Sequence, residues 1–387
     1  MLEPKDIVER QVAQVLPSKE GLLSLMSKRK IRLYHGIDPT SPNLHLGHAV
    51  VLRKLRQFQD LGHEVILLFG TFTARIGDPS GRDKAREPLS EKEVKENIRT
   101  YRKQAGLILD MKRLRIAKNH TWLERMSIQE TQRLASHVTV AQLWERDMFQ
   151  ERKKRGQPVW MSEVWYPLLQ GYDSVALDVD LEVGGTDQTF NMLIGRELQR
   201  AYHNREKYVL TTPLLLGPDG RKMSKSLGNT INLLDSAKEM HGKIMAVRDE
   251  LMSQYFELCT DISKEEAQAL QQQLSPRDLK AKLAQTITTL YHGEKAAAAA
   301  KEEFEKVFKG KELPTDIPEV NISGKEIELT ELLVQLSLAS SKGEARRLVE
   351  QGGVKIAGEV QKNWNKKILL KKGMVVQVGP RRFARVG

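Results

Sequence analysis

The chain of 387 residues has a single cysteine, Cys259, set in the apolar run Tyr255-Phe256-Glu257-Leu258-Cys259. One thiol excludes an intrachain disulfide and a cysteine-based zinc site, and it reads as a buried side chain suited to a reducing cytosol. Long hydrophobic runs are missing as well: the longest aliphatic stretch, Val65 to Phe69, is far too short to span a bilayer. The start of the chain, Met1-Leu2-Glu3-Pro4-Lys5-Asp6, is charged and lacks the apolar core of an export signal. A cytoplasmic protein with no membrane partner is therefore expected. The sequence also lacks a Walker A loop, the Rossmann glycine fingerprint and a His-Glu-x-x-His metal motif. The common phosphate, hydride and zinc-hydrolase machineries are thereby excluded.

Positive charge is what the chain has in excess. Its 62 Lys and Arg against 50 Asp and Glu give +12, which points to a polyanionic partner, nucleic acid ahead of an acidic membrane surface. Residues 331–387 hold 12 Lys/Arg and 4 Asp/Glu, so +8 of that charge falls in the last 57 residues. Charge so concentrated reads as a binder of a phosphate backbone, with a solubilising tail as the plainer alternative. The length exceeds that of a usual single domain and leaves room for two or three, one of them with a full core.

From about residue 30 the pattern alternates. A short apolar run, Ile31 to Tyr34, precedes a helical stretch from Leu44 to Leu61, a buried-type strand Val65 to Phe69 and the turn Gly77-Asp78-Pro79-Ser80-Gly81. A helical stretch Glu91 to Leu109 and a strand Leu114 to Ala117 follow; strands Val179 to Val183 and Tyr208 to Thr212 flank the helical Asp187 to Tyr202. This βαβ rhythm predicts a parallel, doubly wound sheet, with ligands beyond the carboxyl ends of its strands, near the Tyr34 to Pro39 and Gly70 to Pro79 turns. Met148 to Pro158, with Arg152-Lys153-Lys154-Arg155, reads as an excursion from the sheet, either a solvated loop or a contact for RNA or a partner. After Asn229 only helices are expected: Asp235 to Glu257, Lys264 to Leu274, Pro276 to Tyr291 and Glu294 to Lys309, the last carrying five alanines of high helix propensity. A Pro-containing linker, Leu313 to Ser323, leads to the amphipathic Leu329 to Leu338, the basic helix Lys342 to Glu350 and short strands separated by glycines.

Two segments carry phosphate chemistry. Tyr34-His35-Gly36-Ile37-Asp38-Pro39-Thr40 ends a strand, and Leu44-His45-Leu46-Gly47-His48 opens a helix whose first-turn amides favour anions. Gly47 lets a flat base or a phosphate approach the backbone. His45 and His48 have the i, i+3 spacing of a metal pair, but no third ligand lies nearby in sequence, so no metal site is expected. Tyr166, Gln170 and Asp173 recur at i, i+4 and i+7, a polar stripe on one helix face among Trp165, Leu168, Leu169 and Val175. Buried polar stripes need partners: either hydrogen bonds within the core or a polar substrate.

Together with Lys222-Met223-Ser224-Lys225-Ser226, the segments Gly36-Ile37-Asp38-Pro39-Thr40 and His45-Leu46-Gly47-His48 resemble the signature pair of class I aminoacyl-tRNA synthetases. The stretches Gly77 to Gly81, Tyr166-Pro167-Leu168-Leu169-Gln170-Gly171-Tyr172-Asp173 and Gly184-Gly185-Thr186-Asp187-Gln188-Thr189-Phe190-Asn191 narrow the resemblance to the tyrosyl-tRNA synthetase family. It covers roughly residues 30 to 230, and the last 60 residues separately resemble the S4 RNA-binding domain of bacterial members. Ile37 departs conservatively from the phenylalanine frequent there. The resemblance implies a Rossmann-like parallel-sheet catalytic domain over 1–230, an all-α domain for the anticodon region with its linker over 231–323, and a small α+β S4-type domain over 326–387.

It further implies that Tyr34 and Asp173 bond the hydroxyl of L-tyrosine, that Asp78, Tyr166 and Gln170 hold its ammonium, and that Asn119 lies near the pocket. Gln188 would sit near the reacting carboxylate. Thr40 and His45 would contact the β and γ phosphates of ATP, with Lys222 and Lys225 closing from a loop bounded by Gly217, Gly220 and Gly228. Gly47 and His48 would lie against adenine and ribose and Asp187 would accept from the ribose hydroxyls, Gly36 and Asp38 completing the ATP site. Mg²⁺ would accompany ATP, no prosthetic group is implied, and tRNA(Tyr) is the partner of a homodimer. The implied activity is a tyrosine–tRNA ligase that forms tyrosyl-adenylate and then charges tRNA. Its rivals are the tryptophan enzyme, disfavoured by Asp38-Pro39-Thr40, the Tyr34 and Asp173 pair and the tail, and an inactive RNA-binding relative, disfavoured by the intact His45, His48, Asp78, Asp173, Lys222 and Lys225.

Overall fold

Six short apolar runs form one sheet in the computed structural model, which describes residues 3–80, 89–309, 317–322, 324–379 and 382–387. They are β1 (Gln14–Leu16), β2 (Arg32–Ile37), β3 (Glu64–Phe69), β4 (Leu114–Lys118), β5 (Leu181–Gly185) and β6 (Tyr208–Thr212), in the spatial order β1-β6-β5-β2-β3-β4. β2 to β6 are parallel to their neighbours and β1 is antiparallel to β6. The chain runs outward from β2 to β3 and β4, then returns to β5 on the other side of β2. The winding therefore reverses between β2 and β5, where sheets of this kind leave a crevice for ligands.

Strand alternation divides the core. Leu33, Ile37, Val65, Leu67 and Phe69 face the helix Leu46–Asp60, while Tyr34, Ile66 and Leu68 face the other way, toward Leu177 and Val179. Each of these aliphatic side chains contributes about 2 kcal/mol by leaving water. Two strand ends differ from expectation. β2 continues through His35 and Gly36 to Ile37 because β3 offers a partner at every step, and β5 runs on to Gly184 and Gly185, which pair with Thr211 and Thr212.

Met148 to Pro158 is not a solvated loop. Residues Asp147–Lys154 form a helix that buries Phe149, and the buried Arg152 donates to both carboxylate oxygens of Glu163, at 2.7 and 2.9 Å. The expected single helix over Asp235 to Glu257 is broken into Ala237–Met245, a 3₁₀ turn Asp249–Leu251 and Met252–Cys259. At the break, Arg248 N–H donates to the Pro218 carbonyl at 3.2 Å rather than continuing the helix. Helices Lys264–Gln273 and Pro276–His292 follow, and Met240, Ile244, Tyr255, Phe256, Leu283 and Ile287 share one core cluster with the Leu46–Asp60 helix. Cys259 is buried there, as its apolar neighbours predict.

The chain divides into two compact units, Met1–Gly293 and Glu294–Gly387. The second holds the helices Glu294–Lys309, Leu329–Gln335 and Lys342–Glu350 and a five-stranded sheet in the order Glu359–Val360, Val354–Ile356, Val375–Val378, Arg382–Val386, Glu319–Val320. The expected linker thus contributes Glu319–Val320, paired in parallel with Arg385 and Val386. Its residues 313–316 and 323, and Gly81 of the earlier turn, lie outside the described residues. Among the described residues no helix is long and apolar enough to cross a membrane.

Candidate active site

Beyond the carboxyl ends of β2, β3 and β5, polar side chains are joined in a chain of hydrogen bonds. The helix Met161–Leu177 brings Tyr166, Gln170 and Asp173 to this edge, as their spacing predicts. Tyr166 Oη donates to Asp38 Oδ2 at 2.9 Å and Thr73 Oγ1 donates to Asp38 Oδ1 at 2.7 Å. Asn119, fully buried, donates to Thr73 Oγ1 at 3.0 Å and to Asp173 Oδ2 at 3.3 Å, and Trp122 Nε1 donates to Asp173 Oδ1 at 2.8 Å. Gly70 is what permits this approach: a Cβ there would lie 1.9 Å from Asp38 Oδ1. Burial holds the Asp173 carboxyl well above the usual carboxylate range, opposed by the Trp122 and Asn119 donors. Tyr34 is fully buried, its hydroxyl 3.0 Å from Ser174 Oγ, and burial followed by the field of Glu182 raises its pKa well above that of a free phenol.

A second branch starts at Gln170, whose Nε2 donates to Glu182 Oε1 at 3.3 Å and whose Oε1 accepts from Asn191 at 3.0 Å. Asn191 also donates to Gln188 Oε1 at 3.1 Å, and Gln188 Nε2 donates to Asp78 Oδ2 at 2.7 Å. The structure therefore brings Tyr34, Asp78, Asn119, Tyr166, Gln170, Asp173 and Gln188 into one region. Asp38, expected among the ATP contacts, has its oxygens engaged by Tyr166 and Thr73.

The phosphate-type motifs meet through the backbone. Leu46 N–H donates to the Ile231 carbonyl and Leu233 N–H to the Leu44 carbonyl, both at 2.9 Å, so His45 is bridged to Asn232 in the segment just after the lysine loop. At the other end of that loop Leu216 bridges to Lys222, and Asn229 fastens the turn by donating to the Lys222 carbonyl at 3.1 Å and accepting from Ser224 N–H at 2.8 Å. Met223 is buried while Lys222 and Lys225 are exposed. Lys222 Nζ is paired with Asp187 Oδ2 at 3.0 Å. Gly36, at the open end of β2, is exposed, and Thr40 N–H donates to the Asp38 carbonyl at 2.8 Å.

The His45 and His48 rings touch with centroids 3.9 Å apart and planes tilted by 47°, and His48 Nδ1 accepts from His45 N–H at 3.2 Å. Burial, reinforced by Lys222, pushes His45 down to about 4, and burial with the neighbouring His45 lowers His48 well below the usual histidine range. Both rings are neutral donors or acceptors at pH 7. His45 Nδ1 is buried with no partner among the described residues. A Cβ on Gly47 would meet the His45 ring at 3.0 Å, so the glycine first serves that ring's position.

The arrangement is matched in known proteins. The family model of class I tRNA synthetases for tryptophan and tyrosine covers residues 26–309, and a tyrosine–tRNA ligase C-terminal domain model covers 309–377. A tyrosine–tRNA ligase of Thermotoga maritima is 48% identical over 390 residues, spanning 99% of this chain and 97% of the relative. The chain belongs to the tyrosine–tRNA ligase family. That of Aquifex aeolicus is 44% identical across 98% of this chain and 97% of its own. Among solved structures, the truncated mitochondrial tyrosyl-tRNA synthetase of Aspergillus nidulans superposes with a TM-score of 0.67 over 80% of this chain and 95% of its own at 22% identity, and the Archaeoglobus fulgidus enzyme with 0.62 over 77% and 98% at 24%. These distant likenesses concern the fold.

As a member of the tyrosine–tRNA ligase family the chain is a ligase enzyme, as its motifs imply. Sequence reasoning missed six side chains of the polar region: Thr73, Trp122, Ser174, Glu182, Asn191 and Lys207. Ser174 and Asn191 lay within or beside stretches already singled out. Glu182 and Lys207 carried one signal, a charge inside or against an otherwise apolar strand, since a buried charge requires a partner.

Proposed function

We propose that the chain activates L-tyrosine with ATP to tyrosyl-adenylate and pyrophosphate, then transfers the tyrosine to the 3′ end of tRNA(Tyr). The observation that carries this reading is the convergence of Asp173, Tyr34, Tyr166 and Gln170 in one buried polar region beyond the strand ends, on the sheet edge that also bears His45. A pocket holding a buried carboxyl and a buried phenol matches a substrate with a hydroxyl at its tip. Phenylalanine is rejected because it leaves those groups unpaired.

In this reading Tyr34 and Asp173 bind the substrate hydroxyl, with Asn119 orienting Asp173, and Asp78, Tyr166 and Gln170 hold the ammonium. Gln188 stands by the carboxylate. That carboxylate is ionised at pH 7 and attacks the α-phosphorus directly, so the protein supplies alignment and positive charge rather than a general base. His45, its Nδ1 without a partner, and Thr40 meet the β and γ phosphates of Mg²⁺·ATP. His48, Gly47, Gly36, Asp38 and Asp187 line the nucleoside side. Asp187 exchanges its partner Lys222 for ribose as Lys222 and Lys225 move onto the departing pyrophosphate. No prosthetic group takes part. Residues 1–230 carry catalysis, 231–323 the anticodon region and 326–387 an S4-type contact to tRNA. A cytoplasmic homodimer through the segment after Trp122 completes the reading, supported by the exposed Ile128 and Val140.

Pyrophosphate exchange into ATP tests it: exchange is expected with tyrosine and not with tryptophan or phenylalanine. Exchange that requires tryptophan overturns it.

A further inference from the structure

The buried pair Glu182 and Lys207 stands directly behind the recognition residues. Glu182 is the register partner of Tyr34 across β5 and β2, so both side chains leave the same face of the sheet. Lys207 is fully buried and Glu182 is 2% exposed. The three protons of Lys207 Nζ have three acceptors: the Glu182 carboxylate, Ser174 Oγ at 2.7 Å and the Met192 carbonyl at 3.2 Å. Its ammonium also lies 5.8 Å from the centroid of the Tyr34 ring. Space for it is provided by Gly195, where a Cβ would fall 2.6 Å from Nζ and 2.7 Å from Ser174 Oγ.

From this geometry we infer that Glu182 and Lys207 are positioning residues for substrate specificity, holding the Tyr34 hydroxyl through Ser174 and the Gln170 amide through Glu182. The inference rests on the tyrosine-pocket reading above. Ser174 Oγ accepts from Lys207 and donates its proton to Glu182 Oε2 at 3.4 Å, so the pair engages one lone pair and the proton and leaves the other lone pair to accept from the Tyr34 hydroxyl 3.0 Å away. Glu182 Oε1 holds Gln170 Nε2, turning Gln170 Oε1 toward Asn191. Stability alone is a poor reason for the pair, because well-packed apolar side chains commonly replace a buried ion pair at no cost. What apolar side chains lack is direction: they set neither the hydroxyl nor the amide.

Full-length Lys207→Met, Glu182→Gln and the double variant E182Q/K207M, with Ser174→Ala, test this by pyrophosphate exchange with tyrosine and phenylalanine beside thermal melts. Lys207→Met alone strands a carboxylate and lowers the melting temperature. The double variant is expected to regain stability yet keep a KM for tyrosine raised about tenfold, kcat changed by less than roughly threefold, and a tyrosine-to-phenylalanine preference reduced about tenfold. Ser174→Ala, which leaves both charges in place, is expected to show the same KM rise. Recovery of KM and preference together with stability in the double variant overturns the inference and makes the pair structural only. Tyr34→Phe separates the two readings: an unchanged preference there defeats the pocket assignment itself, whereas a reduced preference with a normal double variant defeats only the role of the pair.

Discussion

Buried polarity divides the two units of the chain. The interior of residues 1–293 holds Lys54, Asn119, Arg152, Glu163, Asp173, Glu182 and Lys207, whereas in 294–387 the buried polar side chains among the described residues are Thr330 and Gln361. The second unit closes on Leu329, Leu332, Leu333, Val349, Val354 and Val376 and keeps Lys355, Lys362, Lys366, Lys367, Lys371 and Lys372 at the surface. The exposed Arg346 lies 4.4 Å from the ring centroid of the half-buried Trp364, keeping its charge at the surface. Removing a polar group from water costs several kcal/mol unless it is bonded. A fold accepts that cost where orientation matters and avoids it where charge must meet a diffuse polyanion.

If the comparison holds, the largest single effect belongs to Asp173. Asp173→Ala removes the proposed hydroxyl contact and strands the buried Asn119 and half-buried Trp122 donors, so kcat/KM for tyrosine in pyrophosphate exchange should fall about 10³-fold. A near-normal rate would mean that this buried polarity serves the core alone. Cutting the chain after Gly293 should act oppositely: adenylate formation stays within about twofold while tRNA charging near 0.15 M salt falls by roughly 10 to 100-fold, and the intact chain's tRNA affinity drops steeply with added salt. Equal charging by the truncated form would reduce the second unit to a solubilising role.

A further effect is one of pH. With His45 held at about 4 by burial and then by Lys222, the unfolded chain takes up a proton near pH 6.5 that the folded chain refuses. Its contribution is complete above about pH 6.5 and is lost as the pH falls toward 4, at most about 3 kcal/mol, and His45→Asn should flatten that slope in chemical denaturation. Residues 294–387 contain no histidine, so unfolding of that unit should lack this component.

Much of the sheet was legible because its strands are short aliphatic runs between helical patterns, and Tyr208–Thr212 and Lys342–Glu350 fall at the expected limits. The strand ends were not, because His35, Gly36, Gly184 and Gly185 enter the ladder through a neighbour's free backbone groups rather than their own propensity. In the site, periodicity placed Tyr166, Gln170 and Asp173 on one helix, and motif resemblance brought in residues far apart in sequence. Thr73, Glu182 and Lys207 escaped because their importance lies in pairing across elements, which no local pattern records. The charged Arg152 misled for the same reason: its partner Glu163 is 11 residues away, across a turn.

The backbone bridges at His45 to Asn232 and at Leu216 to Lys222 bear on how the lysines would reach ATP in the proposed reaction. Both ends of the intervening loop are moored, one of them to the strand of chain that carries His45. Closing so short a tether forfeits little chain entropy. In the proposed reaction Lys225 would thereby reach the phosphates as a local reagent, at an effective concentration on the order of millimolar or above, whatever the dilution of the protein.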